Sequence, residues 1–335
     1  MTIKIAFAGT GFSKVHAKQA QTMPNVEMVA VVNHRPESMA AFAAEFNIPR
    51  QYSSIEALIA DGNVDAISIN TPNYLHAPQT IAALNAGIHV MVEKPMAMNA
   101  AEAATMQAAA ENSGALLMVA HCYRFDPEVQ WLRGQVAVGK LGQIIRSKSY
   151  GVHANWGPGG WFTQKQFAGG GAMADMGIHA LDTVRFLLGD PQPVAVYAQI
   201  GTHYGDFDVD DTGILLVNWD NDAVSYIEFG WWQPHKDKPN AGTQLYGTAG
   251  FGELFPTRLL LPNRATETVD VVDGGFALSR TDEMNQARYA RQMAYFIACI
   301  RENQRPIPGG LEGWTNMKVV DAAYKSAQTG KVVAV

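Results

Sequence analysis

The first 120 residues alternate between short apolar runs and stretches with helical periodicity. The apolar runs predict five strands, at Ile3–Ala8, Val26–Val32, Ala66–Asn70, Ile88–Val92 and Leu116–Ala120. The stretches between them predict helices at Ser13–Met23, Pro36–Phe46, Ala77–Asn85 and Asn99–Asn112. Strands that alternate with helices form right-handed βαβ units, so we expect a doubly wound parallel sheet, an α/β fold of the Rossmann type.

The second half of the chain has a different pattern, in which several strands follow one another without helices between them. Predicted strands lie at Ile144–Val152, Val194–Ile200, Thr212–Trp219, Ala223–Trp232, Gln244–Tyr246 and Val332–Val335. Predicted helices lie at Pro127–Val138, Met173–Leu188 (ended by Gly189), Glu283–Arg301 and Glu312–Thr329. This pattern indicates an α+β domain with a large, mostly antiparallel open sheet. We therefore predict a dinucleotide-binding domain at 1–121 and a substrate-binding and oligomerisation domain at 122–335.

Composition and charge narrow the function classes. Hydrophobic residues make up 47% of the 335 residues, and the net charge is −6 without any block of Lys or Arg, so we expect no nucleic-acid partner. Cys122 and Cys299 lie in separate apolar contexts, which favours core thiols in a reducing compartment. No apolar run has transmembrane length, and the chain begins directly with a strand. We therefore expect no membrane partner and a cytoplasmic protein, and the histidine spacings predict no metal site.

Gly9-Thr10-Gly11 lies where a dinucleotide fold needs glycine, between the first strand and the first helix. The first glycine permits the tight turn, and the second lets the backbone approach a pyrophosphate at the helix N-terminus. The third position of this fingerprint is usually Gly or Ala, but it is Lys14 here. A long side chain at this position could point outward and contact a phosphate.

The end of the second strand bears on the choice of cofactor. NAD sites place an acidic residue there for the ribose 2′-hydroxyl, whereas NADP sites use a neutral residue with an arginine nearby. This chain has Asn33-His34-Arg35, in which His34 or Arg35 could face a 2′-phosphate. We therefore predict NADP as the preferred cofactor, with NAD as the alternative.

Glu93-Lys94-Pro95 ends the buried strand Ile88–Val92. Ligands bind outside the carboxyl ends of strands in open α/β sheets, and a partly desolvated lysine can exchange protons near neutral pH. The alternative interpretation is a Glu–Lys surface pair at the end of the strand.

The segment from Gly169 to Asp182 contains three glycines followed by Asp175, His179 and Asp182. On a helix, these three polar side chains share one face, and a carboxylate one turn from a histidine suits acid–base chemistry. The glycines have no packing role evident from the sequence, so they predict a close approach to a ligand or another segment. For Asp182 we prefer a structural ion pair with Arg185.

Taken together, these segments resemble the Gfo/Idh/MocA family of nicotinamide-dependent oxidoreductases. The matching motifs, which cover nearly the whole chain in order, are Gly9–Gly11 with His16, Thr71-Pro72-Asn73 with His76, Glu93-Lys94-Pro95, Tyr123-Arg124-Phe125, Trp161-Phe162 running into Gly169–Asp182, and Ala322–Ser326 with Gly330–Val333. The resemblance implies catalytic roles for Lys94, Asp175 and His179. It also implies a homodimer or homotetramer formed through the sheet of the second domain.

The predicted binding residues fall into two groups. Cofactor binding is assigned to Gly9, Thr10, Gly11, Phe12, Asn33, His34, Arg35, Thr71, Pro72, Asn73, His76, Glu93, Lys94 and His121. Substrate binding is assigned to Lys94, Tyr123, His153, Trp161, Asp175 and His179.

The expected reaction is hydride transfer between a nicotinamide and a secondary alcohol or ketone, with Lys94 and His179 handling the hydroxyl proton. Aromatic and polar residues that include Tyr150, Asn155 and Trp156 suit a polyhydroxylated ring, so we expect a sugar, a sugar derivative or a cyclitol. Two alternatives are open: a non-catalytic NADP-sensing or sugar-binding protein on the same fold, and a metal-dependent hydrolase that uses His179 and Asp182.

Overall fold

The computed structural model describes residues 2–233, 241–263, 265–277 and 281–335. These residues form two compact units. The first contains 1–122 and 286–314, and the second contains 123–285 and 315–335. The sequence prediction placed 286–314 in the second domain, whereas its contacts in the structure group this segment with the first unit.

The first unit is built around a parallel sheet. Its strands in the described chain are β1 (Ile3–Ala8), β2 (Val26–Val32), β3 (Arg50–Tyr52), β4 (Ala66–Ile69), β5 (His89–Val92) and β6 (Leu117–Val119). The spatial order is β3-β2-β1-β4-β5-β6, with all neighbours parallel. The order reverses between β1 and β4, the place where open α/β sheets bind ligands. The predicted Rossmann class is therefore confirmed.

Helices cover this sheet: α1 (Ser13–Gln21), α2 (Pro36–Phe46), α3 (Ile55–Asp61), α4 (His76–Asn85) and α5 (Ala100–Ser113). Their ends follow local sequence signals. The Ser54 hydroxyl accepts a hydrogen bond from the amide of Ala57 at 3.3 Å, and the Asn99 side chain accepts one from Glu102 at 2.9 Å. Gly62 and Gly114 end α3 and α5 in the left-handed conformation.

Two further elements of this unit were missed by the sequence analysis. Strand β3 has only three residues, and α3 has seven, so neither gives a strong periodic signal.

The second unit is built around a mostly antiparallel sheet. Its described strands are β7 (Ile144–Ala154), β8 (Pro193–Gly201), β9 (Thr212–Trp219), β10 (Val224–Gln233), β11 (Ala241–Gly247), β12 (Phe251–Leu254), β13 (Arg258–Asn263), β14 (Thr268–Asp273) and β15 (Val333–Ala334). The spatial order is β14-β13-β12-β11-β7-β10-β9-β8-β15, in which β7 and β10 are parallel. The predicted α+β class is confirmed, although β12, β13 and β14 were not predicted.

The remaining helices are α6 (Pro127–Ala137), α7 (Lys165–Ala168), α8 (Ile178–Leu187), α9 (Asp282–Glu302) and α10 (Gly310–Thr329). From residue 286 onward, α9 packs in the first unit, where Arg301 donates to the carbonyls of Pro24 and Asn25. Within the described part of the chain, no helix is both long enough and apolar enough to span a bilayer.

A buried ion network anchors α8 inside the second unit. Arg124 is 1% exposed and bonds the Asp182 carboxylate from two nitrogens, at 2.8–3.1 Å, and Asp190 from two nitrogens, at 2.7–3.0 Å. Asn316 adds a bond to Asp182 at 2.8 Å. Burial alone would lower the pKa of Arg124, but the charges of Asp182 and Asp190 outweigh it and raise that pKa. The sequence analysis predicted an ion pair between Asp182 and Arg185. In the structure, Arg185 donates to the carbonyl of Pro191.

We predict that Arg124→Met lowers the free energy of unfolding by about 3–5 kcal/mol, because it leaves two carboxylates without their buried cation. Urea unfolding followed by far-UV circular dichroism measures this loss. The control is Lys14→Met, which removes the exposed pair with Glu45 and should cost less than about 1 kcal/mol. Equal losses in the two variants would contradict the assigned role of Arg124.

Candidate active site

The tips of β1 and β4 approach each other closely at Gly9. Gly9 has φ +88°, and a Cβ placed on it would lie 2.6 Å from the carbonyl oxygen of Asn70. The backbone amide of Asn70 donates to the carbonyl of Ala8 at 2.9 Å, which fixes the distance between the two strand ends. Only glycine fits this position, both for its backbone conformation and for its space.

Helix α1 begins directly after this turn and suits a phosphate-bearing cofactor. Its N-cap residue, Phe12, makes no side-chain cap bond, and its first turn carries no acidic residue. A Cβ on Gly11 would meet no atom within 4 Å, so open space borders the backbone there. Free space beside uncapped helix amides fits a dinucleotide pyrophosphate. Lys14 points to Glu45, with its Nζ 2.5 Å from the carboxylate.

The loop after β2 is ordered by Asn33. Its side-chain amide donates to the Thr10 hydroxyl at 2.7 Å, and its oxygen accepts the amide of Arg35 at 3.0 Å. The side chains of His34 and Arg35 are exposed. Asn33 thus joins this loop to the glycine turn and leaves two basic side chains at the surface.

His76 connects the loops that follow β4 and β5. It is 1% exposed, and its two ring nitrogens each lie 2.8 Å from a carbonyl oxygen, one of Pro95 and one of Thr71. Burial lowers the pKa of His76, and the two carbonyls act in the opposite direction. The ring therefore holds the backbone of both loops in place. Pro72 is half-buried and Asn73 is buried in the same loop.

The end of β5 is buried except at one side chain. Of residues 90–97, only Lys94 is not buried. Glu93 is 8% exposed, lies 3.3 Å from Nε2 of His16, and accepts the backbone amide of Lys94 at 3.1 Å. His16 in turn lies 2.8 Å from the Ser68 hydroxyl. Buried polar contacts thus fix Glu93, so this carboxylate does not lie at the surface.

Helix α9 contributes side chains to this unit that the sequence analysis missed. The Tyr289 ring packs edge-on against Phe12, with centroids 5.8 Å apart, and lies 6.5 Å from His16. Arg288 donates to the Tyr289 hydroxyl at 3.3 Å. Burial raises the pKa of Tyr289, so its hydroxyl stays protonated. Their distance in sequence from the glycine turn left no local signal for these two residues.

Two residues follow β6 in the first unit, where the sequence predicted a cofactor contact. His121 is 1% exposed. Cys122 is 3% exposed, and burial raises the pKa of its thiol. Cys122 is therefore an inert core residue, as is the buried Cys299.

In the second unit, the segment 170–185 is buried except at two side chains, Asp175 and His179. Trp231 is 0% exposed and donates its indole N–H to Asp175 at 3.0 Å, while Nε2 of His153 lies 3.4 Å from the same carboxylate. The His179 ring contacts Tyr123 edge-on, with centroids 5.3 Å apart. The structure therefore gathers Asp175, His153 and Trp231 at one point and pairs His179 with Tyr123.

The predicted helix Met173–Leu188 is not uniform. Residues Met173–Gly177 form a π-helical turn, and the α-helix begins at Ile178. The carbonyl of Met176 lies against Gly151 of β7, where a Cβ would overlap it. Wide turns of this kind are frequent at functional sites, and this one carries Asp175.

Two glycines before this turn have a packing role that was not evident from the sequence. A Cβ on Gly170 would overlap the Tyr324 hydroxyl, and a Cβ on Gly171 would overlap the carbonyl of Asp210. The close approach that the glycines permit is thus to other parts of the chain. The sequence could not name these partners, because they lie far from the glycines along it.

Aromatic rings border the Asp175 cluster. Trp156 is 49% exposed and contacts His153 in a tilted arrangement, with centroids 3.7 Å apart. For Trp161 the structure gives a different partner, since its ring stacks on Phe162 at 3.8 Å.

Comparisons with known proteins assign both parts of the chain to one family. Residues 3–121 match the oxidoreductase family with an NAD-binding Rossmann fold, and residues 129–252 match the GFO/IDH/MocA C-terminal domain.

Individual relatives match over nearly their whole length. D-glucoside 3-dehydrogenase of Escherichia coli is 29% identical over 98% of this chain and 96% of its own. D-xylose 1-dehydrogenase (NADP(+)) 2 of Haloferax volcanii is 30% identical over 92% of this chain and 91% of its own. Among solved structures, levoglucosan dehydrogenase in complex with NADH and levoglucosan superposes with a TM-score of 0.89, at 24% identity and 100% coverage of both chains.

The glycine turn, the buried end of β5 and the Asp175–His179 segment thus occur in a chain that matches one family in both of its domains. The chain belongs to the GFO/IDH/MocA family of nicotinamide-dependent oxidoreductases, as its sequence motifs predicted.

Proposed function

We propose that the protein transfers a hydride between a nicotinamide cofactor and a secondary alcohol or ketone of a sugar, a sugar derivative or a cyclitol. One observation carries this proposal: the reactive side chains emerge from segments that are otherwise buried. Lys94 is the single unburied residue of 90–97, and Asp175 and His179 are the two unburied residues of 170–185. Burial of the flanking residues restricts the motion of these side chains, as acid–base chemistry requires.

The proposed proton chemistry divides between these side chains. A nicotinamide, when bound, exchanges the hydride with the substrate carbon. His179 takes the proton of the substrate hydroxyl, and Lys94 donates a hydrogen bond to the same oxygen and stabilises its developing charge. Asp175, held by the Trp231 indole, orients this pair.

Two observations support a polyhydroxylated substrate. His153 and Trp156 form a tilted ring pair beside Asp175, which offers a ring face together with polar atoms. In addition, the names of the relatives refer to a D-glucoside, D-xylose and levoglucosan. We assign substrate binding to His153, Tyr123 and Trp161 together with the three reactive residues.

We propose NADP as the preferred cofactor, with NAD as the alternative. The loop after β2 presents His34 and Arg35 to solvent, and the Asn33 side chain at the strand end is neutral. A ribose 2′-phosphate favours such a loop, whereas a free 2′-hydroxyl favours a carboxylate. The name of the Haloferax relative also specifies NADP(+).

We further propose that two copies of the chain associate through the open face of the second sheet. Ile214 and Leu216 of β9 are 38% and 42% exposed on this face. Tyr197 and Tyr226 lie beside Leu216 on the two neighbouring strands. Such a patch of apolar and aromatic residues on a broad sheet suits a self-complementary interface.

Lys94→Met should lower kcat by about 10²–10⁴-fold, because it removes the proton-handling group but keeps the length of the side chain. The Kd of NADPH, measured by tryptophan quenching, should change by less than about twofold. Lys18→Met, at an exposed lysine of α1, is the matched control and should retain activity.

The assay screens a panel of sugars and cyclitols with both cofactors. Unchanged turnover in Lys94→Met would remove Lys94 from the mechanism. Cofactor binding without turnover across the panel would instead favour the sensing protein, and metal-dependent turnover without a cofactor would favour the hydrolase.

Arg35→Ala should weaken NADPH binding by about 10-fold, since it removes a cation facing the 2′-phosphate, and should leave NADH binding nearly unchanged. Adding Asn33→Asp should improve NADH binding by placing an acceptor for the ribose hydroxyl. Titrations of both nucleotides measure the ratio of their dissociation constants, and NADH provides the internal control. Tighter binding of NADH than NADPH to the wild type would overturn the proposed preference.

Leu216→Arg should convert the assembly to monomers, because it places a charge in the centre of the proposed interface. Light scattering coupled to size-exclusion chromatography measures the mass. Val138→Arg, at a 71% exposed position after α6, is the control and should leave the mass unchanged. If Leu216→Arg has the mass of the wild type, another surface forms any oligomer.

A further inference from the structure

The segment that carries Asp175 begins in contact with Asp210, in the loop between β8 and β9. This residue is 7% exposed and accepts three successive amides. Its Oδ1 accepts a hydrogen bond from the backbone amide of Gly171 at 2.8 Å, and its Oδ2 accepts one from that of Met173 at 2.7 Å. Its backbone oxygen accepts one from the amide of Ala172 at 2.8 Å. Asp210 thus caps the start of the π-helical turn from a distant part of the chain.

Tyr324 of α10 completes this cap. Its hydroxyl donates to Oδ1 of Asp210 at 2.7 Å. Burial raises the pKa of Tyr324, so the hydroxyl keeps its proton and remains a donor. Burial also raises the pKa of Asp210, while the amides of Met173 and Gly171 and the Tyr324 hydroxyl oppose that shift. The Tyr324 hydroxyl and the three amides therefore all donate to Asp210 in a buried setting.

The same loop also binds the backbone of Trp231, the residue whose indole donates to Asp175. The Asp211 side chain accepts the amides of His203 and Tyr204 at 2.6–2.9 Å, which folds the loop onto itself. The Asp211 carbonyl accepts the amide of Trp231 at 2.7 Å. Since the Trp231 indole binds Asp175, this loop fixes both the backbone before Asp175 and the donor to its carboxylate.

We infer that Asp210 and Tyr324 are positioning residues that hold the π-helical turn so that Asp175 keeps its bond to Trp231. Glycine at positions 170 and 171 leaves room for this cap, because side chains there would displace the Tyr324 hydroxyl and the Asp210 carbonyl. The kinetic consequence rests on the proposed function, since a displacement of about 1 Å at a reacting group can cost about 10²-fold in rate.

Tyr324→Phe deletes the hydroxyl that donates to Asp210 and keeps the ring. The matched control is Ser326→Ala on the same helix, where a 0% exposed hydroxyl accepts the amide of Ala198 and donates to the carbonyl of Lys331. Gly170→Ala is the second variant, because it displaces the Tyr324 hydroxyl from the opposite side. Two routes to the same bond keep the test decisive if one variant fails to fold.

The first readout needs no turnover. The chain has seven Trp residues, and labelling them with ¹⁵N gives an indole cross-peak for Trp231 that Trp231→Phe identifies. Tyr324→Phe and Gly170→Ala should shift this cross-peak, whereas Ser326→Ala should leave it in place. An unmoved cross-peak in both variants, or an equal shift in Ser326→Ala, would overturn the positioning role.

The second readout is kinetic and uses the panel compound that the wild type converts fastest. Tyr324→Phe should lower kcat about 10-fold or more, with the Kd of NADPH unchanged. Ser326→Ala should reduce the melting temperature without this loss of kcat. Equal kcat losses in both variants would assign Tyr324 to stability alone. If the wild type converts no compound, the proposed function fails, and the Trp231 cross-peak still decides the inference.

Discussion

Pairing of buried polar groups is the constraint on which both halves of this structure depend. A polar group without a partner in the interior costs several kcal/mol, so polar side chains in largely buried segments need partners. In the first unit, His16 and the Lys94 amide bind the Glu93 carboxylate. In the second, Trp231 binds Asp175. The side chains that we propose as reactive are thereby held without being buried themselves.

Close backbone approach is the second device that the two units share. Gly9 lets the tip of β1 meet Asn70, and this contact lies at the point where the strand order reverses. Gly170 and Gly171 let Tyr324 and Asp210 reach the start of the π-helical turn. In each place a side chain would push apart two backbone segments, so these glycines determine the local geometry within their own unit.

Much of this architecture could be predicted because strong local patterns specify it. The long apolar strands of the parallel sheet, the long helices and the family resemblance were all confirmed. Short elements such as β3 were missed, because three residues give little periodicity. The pairing of Asp182 with Arg124 was also missed, since this arginine lies 58 positions away along the chain.

The sequence by itself determined the two fold classes, the glycine turn, the strand that ends in Lys94 and the family. These features are local, since they follow from the spacing of apolar residues and from the backbone freedom of glycine. Only the tertiary structure decided that α9 belongs with the dinucleotide-binding unit, that Trp231 binds Asp175, and that Asp210 and Tyr324 cap the turn before it. Such contacts join residues far apart along the chain, and hydrogen bonds in a buried setting depend on geometry that no local pattern encodes.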